Sequence, residues 1–516
     1  MWNKCIPVVL LVAAHASTLC CAQNPVWCPD VANIIYDHCS SCHHQGSIGP
    51  FELMSYSDVV DNGLSVQEQV GFRHMPPWPA DPDYRHFAHE NVLTQAEIDA
   101  VVDWVNFGAP FGDPGLEPAP PVFPAGGSLL DTIDFQVAIP PYTLQYNTDE
   151  YRWFVIENPF PTTVYVNAIE VFPGLDSVVH HADISYDNTG ASLANDLADP
   201  LPGFNSNTGS PTYSFYMNAW QPGGNLVRYP PQWGIALPPN ADFVLEIHYG
   251  PGNQGLVDST VMNLEFVTGG GVRPVNVGWL LGNGNMTDGP LVIPANTVRT
   301  FHHEYTVPSN RSFVSICPHM HHVGVSFKVW YEYAGDSIPL IDIPRWDFHW
   351  QRYYTFQQVQ PIPAGAVIKS EGVYDNTMNN ADNPNNPPQT IGWGATTADE
   401  MFLCYFIWAT YQQGDENIVL DSTLYASVPS AYSPIAEWSV FPNPTEDLLT
   451  VDLPGISGER TDLQLTDATG RLVRMLDDVR PAEGGARFSL AGLPAGIYNL
   501  QIVSSAMRAS RKVVKD

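Results

Sequence analysis

Between about Leu129 and Tyr432 the chain repeats one texture: short apolar or alternating runs separated by clusters of Pro, Gly and Asn. Trp153-Phe-Val-Ile156, Val164-Tyr-Val166, Phe243-Val-Leu-Glu-Ile247 and Ser326-Phe-Lys-Val-Trp-Tyr331 are examples. Runs of this length between turn residues read as strands. Strands at this density imply antiparallel sandwiches. The stretch has room for two of them, and Gly269-Gly270-Gly271 is the natural hinge. Composition points the same way, because 47 Pro and 40 Gly with only 15% charged residues suit turn-rich β structure better than helical bundles.

The flanks differ. From 26 to 112, helical signals mix with loops. Asp30 is placed to cap a helix through Val31, Ile34 and Ile35, and Thr94-Gln-Ala-Glu97 is a capping-box pattern opening a second helix through Trp104. Five prolines between Pro114 and Pro124 make residues 113–128 a stiff linker. Beyond Ile435 lies a small β module. The fold class is therefore multidomain and mainly β. A small α-helical domain (26–112) precedes two antiparallel β-sandwiches (129–268 and 272–432) and a small C-terminal β-sandwich (435–516).

Residues 1–22 read as an export signal. Lys4 precedes an apolar run from Ile6 to Ala14, and small residues lead to a cut near Gln23. The run is too short to span a bilayer, and no other segment is long and apolar enough to do so. Cys20 and Cys21 are candidates for lipidation, although Leu19 suits that poorly. The formal charge of −33 disfavours nucleic acid and anionic lipid as partners and fits a soluble extracellular life. The cysteines left after the signal are Cys28, Cys39, Cys42, Cys317 and Cys404, too few for a disulfide scaffold.

Cys39-Ser-Ser-Cys42-His43 is a CxxCH motif. Two thiols at this spacing can add to the vinyl groups of a haem, and the adjacent His then ligates the iron from below. Met75, within Arg73-His-Met-Pro-Pro-Trp78, is the preferred second axial ligand, with His74 as its competitor. The segment resembles a small class I cytochrome c domain, which implies one covalently attached haem c. Cys28 lies outside that pattern.

The middle region gathers imidazoles. Val179-His-His-Ala-Asp183 offers His180 and His181, and His248 ends an apolar strand in Ile247-His-Tyr-Gly250. Pro318-His-Met-His-His322 sets His319 and His321 two apart, hence on one side of a strand. Asp399-Glu-Met-Phe402 adds Met401. Three imidazoles without a thiolate suit copper or zinc, whereas two imidazoles with a thioether point to copper.

The order HH, HYG, HxHH, DEM resembles the type II copper, ascorbate-dependent monooxygenases, which include peptidylglycine α-hydroxylating and dopamine β-monooxygenases. The spacings fit: 67 residues from His181 to His248, 71 to His319, and 80 from His321 to Met401. The resemblance implies two jelly-roll-like sandwiches of eight or nine strands, each holding one of two copper ions, with solvent between them. It makes His180, His181 and His248 ligands of an electron-storing copper. It makes His319, His321 and Met401 ligands of the copper where oxygen meets substrate. The implied reaction inserts one atom of O2 into a C–H bond of a small-molecule or peptide substrate. Ascorbate or another one-electron reductant is the external donor.

Tyr405 also matches the family, in its catalytic site. Cys317 stands where the peptide-amidating branch has Arg, and Leu403 where it has Asn, which argues against a C-terminal glycine peptide. His322 matches a non-ligand, His302 and His303 read as structural, and Glu400 is a candidate to support the ligands beside it. Cys317 and Cys404 flank ligands of one copper, so a disulfide between them is expected. The cytochrome segment is expected to relay electrons to the first copper, the other use being a docking module. Finally, Ser439-Val-Phe-Pro-Asn-Pro444, Leu465-Thr-Asp-Ala-Thr-Gly-Arg471, Leu493-Pro-Ala-Gly-Ile-Tyr498 and Arg511-Lys512 resemble the Bacteroidota type IX secretion sorting domain. That implies passage through its machinery to the outer surface or the medium.

Overall fold

The structure is a computed structural model. It describes residues 24–421 apart from 46, 124–127, 129, 131, 176–177, 208, 210, 222–225 and 395, and residues 439–515 apart from 453–460, 468–471, 480–485 and 505–507. The export signal, Cys20, Cys21, residues 468–471 of the tail motif and the junction at 422–438 lie outside the described residues. The chain forms two compact units, Met1–Ser422 and Thr423–Asp516.

The first unit opens with helices Asp30–His38, Tyr56–Asp61, Gly63–Gly71 and Gln95–Asn106. Thr94 accepts the Glu97 N–H, and Glu97 in turn takes the Thr94 N–H, so the capping box forms as its residues predict. Asp30 is not the cap expected of it. It is the first helical residue, and its carboxylate accepts the Val26 N–H at 3.0 Å. Trp27, Val31, Ile35, Val101 and Trp104 make the core of this region. Cys28 is buried in the same core.

An eight-stranded sheet runs through the rest of the unit. Its spatial order is Phe135–Ala138, Val261–Phe266, Val164–Phe172, Trp233–Leu237, Arg273–Leu281, Leu403–Thr410, Arg311–His319 and Tyr354–Ile362. Two four-stranded sheets pack against it. One is ordered Glu150–Ile156, Asp242–Tyr249, Val179–Asp187, Phe215–Trp220. The other is ordered Thr297–Thr306, Val367–Asn376, Gly324–Tyr333, Asp336–Ile343.

The link at the triple glycine is more than a hinge. Gly269 and Gly271 adopt positive φ, and the strand that follows them, Arg273–Leu281, pairs in parallel with Trp233–Leu237, Arg273 with Trp233 and Pro274 with Gly234. The Arg273 guanidinium stacks over Trp233 and bridges to Asp415 at 2.6 Å. One sheet thus crosses both halves.

The shared strands bury both faces. Phe313, Ile316, Cys404 and Phe406 enter one core, whereas Val314, Cys317, Ile407 and Ala409 enter the other. This alternation, with a period of two, answers the disulfide expectation. Cys317 and Cys404 lie on opposite faces, and both are free thiols.

Residues 78–90 leave the helical region and lie on the sandwich carrying His319. The Asp81 and Ala88 N–H groups donate to the Asp342 and Thr355 carbonyls, each at 2.8 Å. Arg85 donates to the Pro339 carbonyl at 2.7 Å and Gln360 at 2.8 Å, while Phe87 is buried against Phe356. Nothing in the local sequence pattern signalled this docking.

The second unit has a three-stranded sheet (Ser439–Phe441, Leu448–Asp452, Ala486–Ser489) and a four-stranded sheet (Leu472–Val479, Thr461–Asp467, Gly496–Ser504, Arg508–Lys515). Leu449, Val451, Phe488, Leu465 and Leu500 fill the core between them. The whole is mainly β and multidomain, with a small helical region and a small C-terminal sheet pair, as the sequence implied.

Candidate metal centre

Three neighbouring strands build the first centre. Tyr151, His248 and His181 are register partners in one row across them. Strict alternation would send His180 to the opposite face. Instead the register shifts between Val179 and His181, so His180 is the extra residue of a bulge and its ring turns to the same side. His180 Nδ1 and His181 Nδ1 are 3.1 Å apart. The three residues each offer a ligand atom, all within 4.8 Å of one another, a set able to hold one metal ion.

His248 shows which atom faces the ion. Its Nε2–H donates to Asp149 Oδ1 at 2.9 Å, and its buried Nδ1 has no partner. Tyr151 stacks flat on the ring at 4.2 Å. A carboxylate on the far nitrogen fixes the tautomer and leaves Nδ1 as a ligand. Burial holds all three imidazoles below their usual range, His180 down to about 4, so they are neutral and able to ligate at pH 7.

The second set sits on the other half of the shared sheet. His319 ends its strand, and His321 lies in the loop beyond, so the pair is not on one strand as the spacing predicted. Met320 between them is buried in the core, which turns the two imidazoles the same way. Their rings are perpendicular with centroids 5.2 Å apart. The His321 Nδ1–H donates to the Asp399 carbonyl at 3.0 Å and leaves Nε2 free.

Glu400 ties the set together. Its buried carboxylate accepts the N–H of His321 (2.9 Å), Val323 (2.9 Å) and Met401 (3.0 Å). One oxygen, Oε2, thus holds the backbone of both His321 and Met401. Burial lowers His319 to about 3 and also lowers His321. Glu400 thus ties the backbones of His321 and Met401, two of the three residues the sequence reading assigned to a second ion.

The two sets face each other across a single ring. Phe348 lies 5.7 Å from His180, 6.1 Å from His321 and 4.2 Å from His322, centroid to centroid. His349 reaches within 6.1 Å of His180. Phe348 thus lies within ring contact of one imidazole of each set. His302 and His303 stand away from both centres. His302 pairs with Asp288 and Glu371, and His303 is buried against Phe402.

In the helical region, Cys39 caps the first helix and Cys42 lies one turn on, both as free thiols. The His43 Nδ1–H donates to the Phe51 carbonyl at 2.9 Å, which leaves Nε2 for an axial bond. Gly49 passes so close that a Cβ there would meet His43 Nδ1 and the Cys42 carbonyl at 2.7 Å. These residues fit a covalently held haem. Met75 and His74 line a cavity of about 610 Å³ whose opposite wall carries His322, Trp346, Phe348 and His349. Sequence reasoning missed Asp149, Phe348 and His349, none of which belongs to a motif.

Tyr405 lines a separate cavity between the two halves with Asp183, Tyr216, Glu246 and Trp279.

Residues 439–516 match the family described as the secretion system C-terminal sorting domain. The tail indicates export by the type IX system to the cell surface or the extracellular space. The search of curated proteins finds no match to the chain. Among solved structures, a β-glucuronidase from Faecalibacterium prausnitzii is 11% identical, with 42% of this chain and 37% of that chain covered, at a TM-score of 0.14. PNGase F, a glycosylasparaginase from Flavobacterium meningosepticum, is 10% identical, covering 54% and 96%, at a TM-score of 0.22. Neither likeness reaches a TM-score of 0.5. No helix among the described residues is long and apolar enough to cross a membrane.

Proposed function

We propose that this exported chain is a copper-dependent monooxygenase that hydroxylates a C–H bond and carries its own c-type haem. What carries the reading is the pairing of two differently built donor sets across one ring. The three-imidazole set has His248 Nδ1 unpartnered and Asp149 behind it. The His319, His321 and Met401 set is braced by Glu400. Copper, when bound, supplies one-electron redox chemistry at each set and oxygen activation at the thioether site.

The chain's own residues do the positioning. Asp149 and the Asp399 carbonyl orient imidazoles, Glu400 holds two ligand backbones, and Phe348 lies against an imidazole of each set. His43, Cys39 and Cys42 would hold the haem, with Met75 or His74 opposite. Docking of residues 78–90 keeps that region against the sandwich bearing His319, which favours electron delivery from the haem over a purely structural role.

The test is oxygen consumption by the copper-loaded chain with ascorbate over peptides, amines and polyphenols. Product mass is expected to rise by one oxygen atom. Met401→Ala should abolish hydroxylation and leave most copper bound. Turnover that survives Met401→Ala, or copper binding without any oxygen uptake, makes the chain an electron-transfer or copper-binding protein instead.

A further inference from the structure

Arg352 is 8% exposed, and among the described residues its guanidinium has no ion pair and no hydrogen bond. Arg152 is buried too, at 1% exposed, but it binds Asp199 at 2.9 Å and the carbonyls of Pro202 and Gly203 at 2.7 and 2.8 Å. A guanidinium carries five N–H donors, and a buried charge without an acceptor is costly. Arg352 therefore calls for an acceptor that the chain itself does not supply.

The guanidinium lies under the segment that leaves the helical region. Its carbon is 5.3 Å from the centre of the Trp78 ring. A ring face attracts a cation but does not satisfy a fork of N–H donors. Trp78 Nε1 is itself buried without a partner, and so is the hydroxyl of Tyr354, whose ring meets Trp78 edge-on at 5.4 Å. Three groups able to donate thus gather around one ring, and none of them is hydrogen-bonded to a described residue.

Trp78 is three residues from Met75, and the two line the same two cavities, of about 610 and 340 Å³. Met75 and His74 are the candidates to face the haem that Cys39, Cys42 and His43 fit. A haem brings two propionate carboxylates, and a planar pair of oxygens is the acceptor that a guanidinium fork matches best. We infer that Arg352, with Trp78 Nε1 beside it, holds a haem propionate across the junction between the helical region and the sandwich. Arg352 opens the strand Tyr354–Ile362 of the shared sheet, far from the CxxCH segment in the chain, so the haem fastens two parts of the molecule together. The inference rests on the haem of the proposed function and is independent of its copper.

The test is a spectroelectrochemical titration of the haem in the full chain, parent against Arg352→Met, Arg352→Lys and Trp78→Phe. Removing a cation beside a propionate favours the oxidised iron. The Arg352→Met potential is expected to fall by about 59 mV, a tenfold shift of the one-electron equilibrium, and Arg352→Lys to recover most of it. Trp78→Phe keeps the ring, loses the N–H and should move the potential the same way by less. A thermal melt checks folding of each variant, and a merely structural role would leave the potential in place. A potential unchanged in Arg352→Met and Trp78→Phe overturns the inference and leaves the guanidinium to water. Acetate binding to the haem-bearing parent that Arg352→Met abolishes also overturns it, by giving the site to a free carboxylate. A chain that takes up no haem in a host able to attach it to CxxCH motifs sinks this inference and the haem reading together, while oxygen uptake with copper still decides the hydroxylase reading.

Discussion

Replacing Asp149 by Ala should weaken copper at the first centre about tenfold and leave the fold intact. His248 is 2% exposed, its Nδ1 is unpartnered, and among the described residues its ring makes one hydrogen bond, the 2.9 Å contact from Nε2 to Asp149. With the carboxylate gone, no described residue holds the proton on Nε2, and the tautomer with the proton on the ligating Nδ1 becomes accessible. Losing such a partner typically costs 10 to 100-fold in metal affinity, about 1.4 to 2.8 kcal/mol. The Asp149 side chain is 47% exposed, so water can replace it in part, and the lower end applies. Asp149→Asn keeps an oxygen acceptor and should lose only about threefold. The assay is competition for copper against a chelator of known strength, in a His321→Ala background so that one site reports. An Asp149→Ala chain holding copper within twofold of the parent refutes the role given to the carboxylate.

Two further outcomes follow from burial. Glu400→Ala strands the His321, Val323 and Met401 N–H groups, and at about 1 to 3 kcal/mol each the chain should lose at least about 3 kcal/mol in urea denaturation. A loss under about 1 kcal/mol would remove Glu400 as the brace. The metal-free chain should lose stability in acid. His180 and His319 are lowered chiefly by burial to about 4 and about 3, against about 6.5 when unfolded. Stability from keeping them neutral is complete above about pH 6.5 and is lost as pH falls toward 3, at about 1.4 kcal/mol per pH unit for each proton taken up. Denaturation midpoints that stay flat from pH 7 to pH 4 would contradict it.

Much of this molecule is visible in its residues, and the limits are physical. The strand texture and the capping box at Thr94 depend on local pattern, whereas the gathering of His180, His181 and His248 was legible only through the family resemblance, since 67 positions separate His181 from His248. That two adjacent imidazoles share a face depends on a bulge, and period-two reasoning places them on opposite faces. The disulfide idea failed for the same kind of reason. Cys317 and Cys404 flank one site in sequence, but alternation sends their side chains into different cores. Asp149 lies 99 positions from His248, and Phe348 has no neighbour that marks it. Such groups are recruited by tertiary packing, which no window of sequence contains. The docking of residues 78–90 is of that kind too.

The parallel pairing of Arg273 with Trp233 bears on how the molecule can be taken apart. Cutting the chain at the triple glycine would sever a covalent link and leave the sheet seam, the guanidinium stacked on Trp233 and the apolar seam of Val275, Val277 and Ile407 in place. The two halves are fragments of one plate, each with a sticky edge when alone. Nicked material should stay associated, and the spacing of the two centres is then set by the sheet and not by the peptide link.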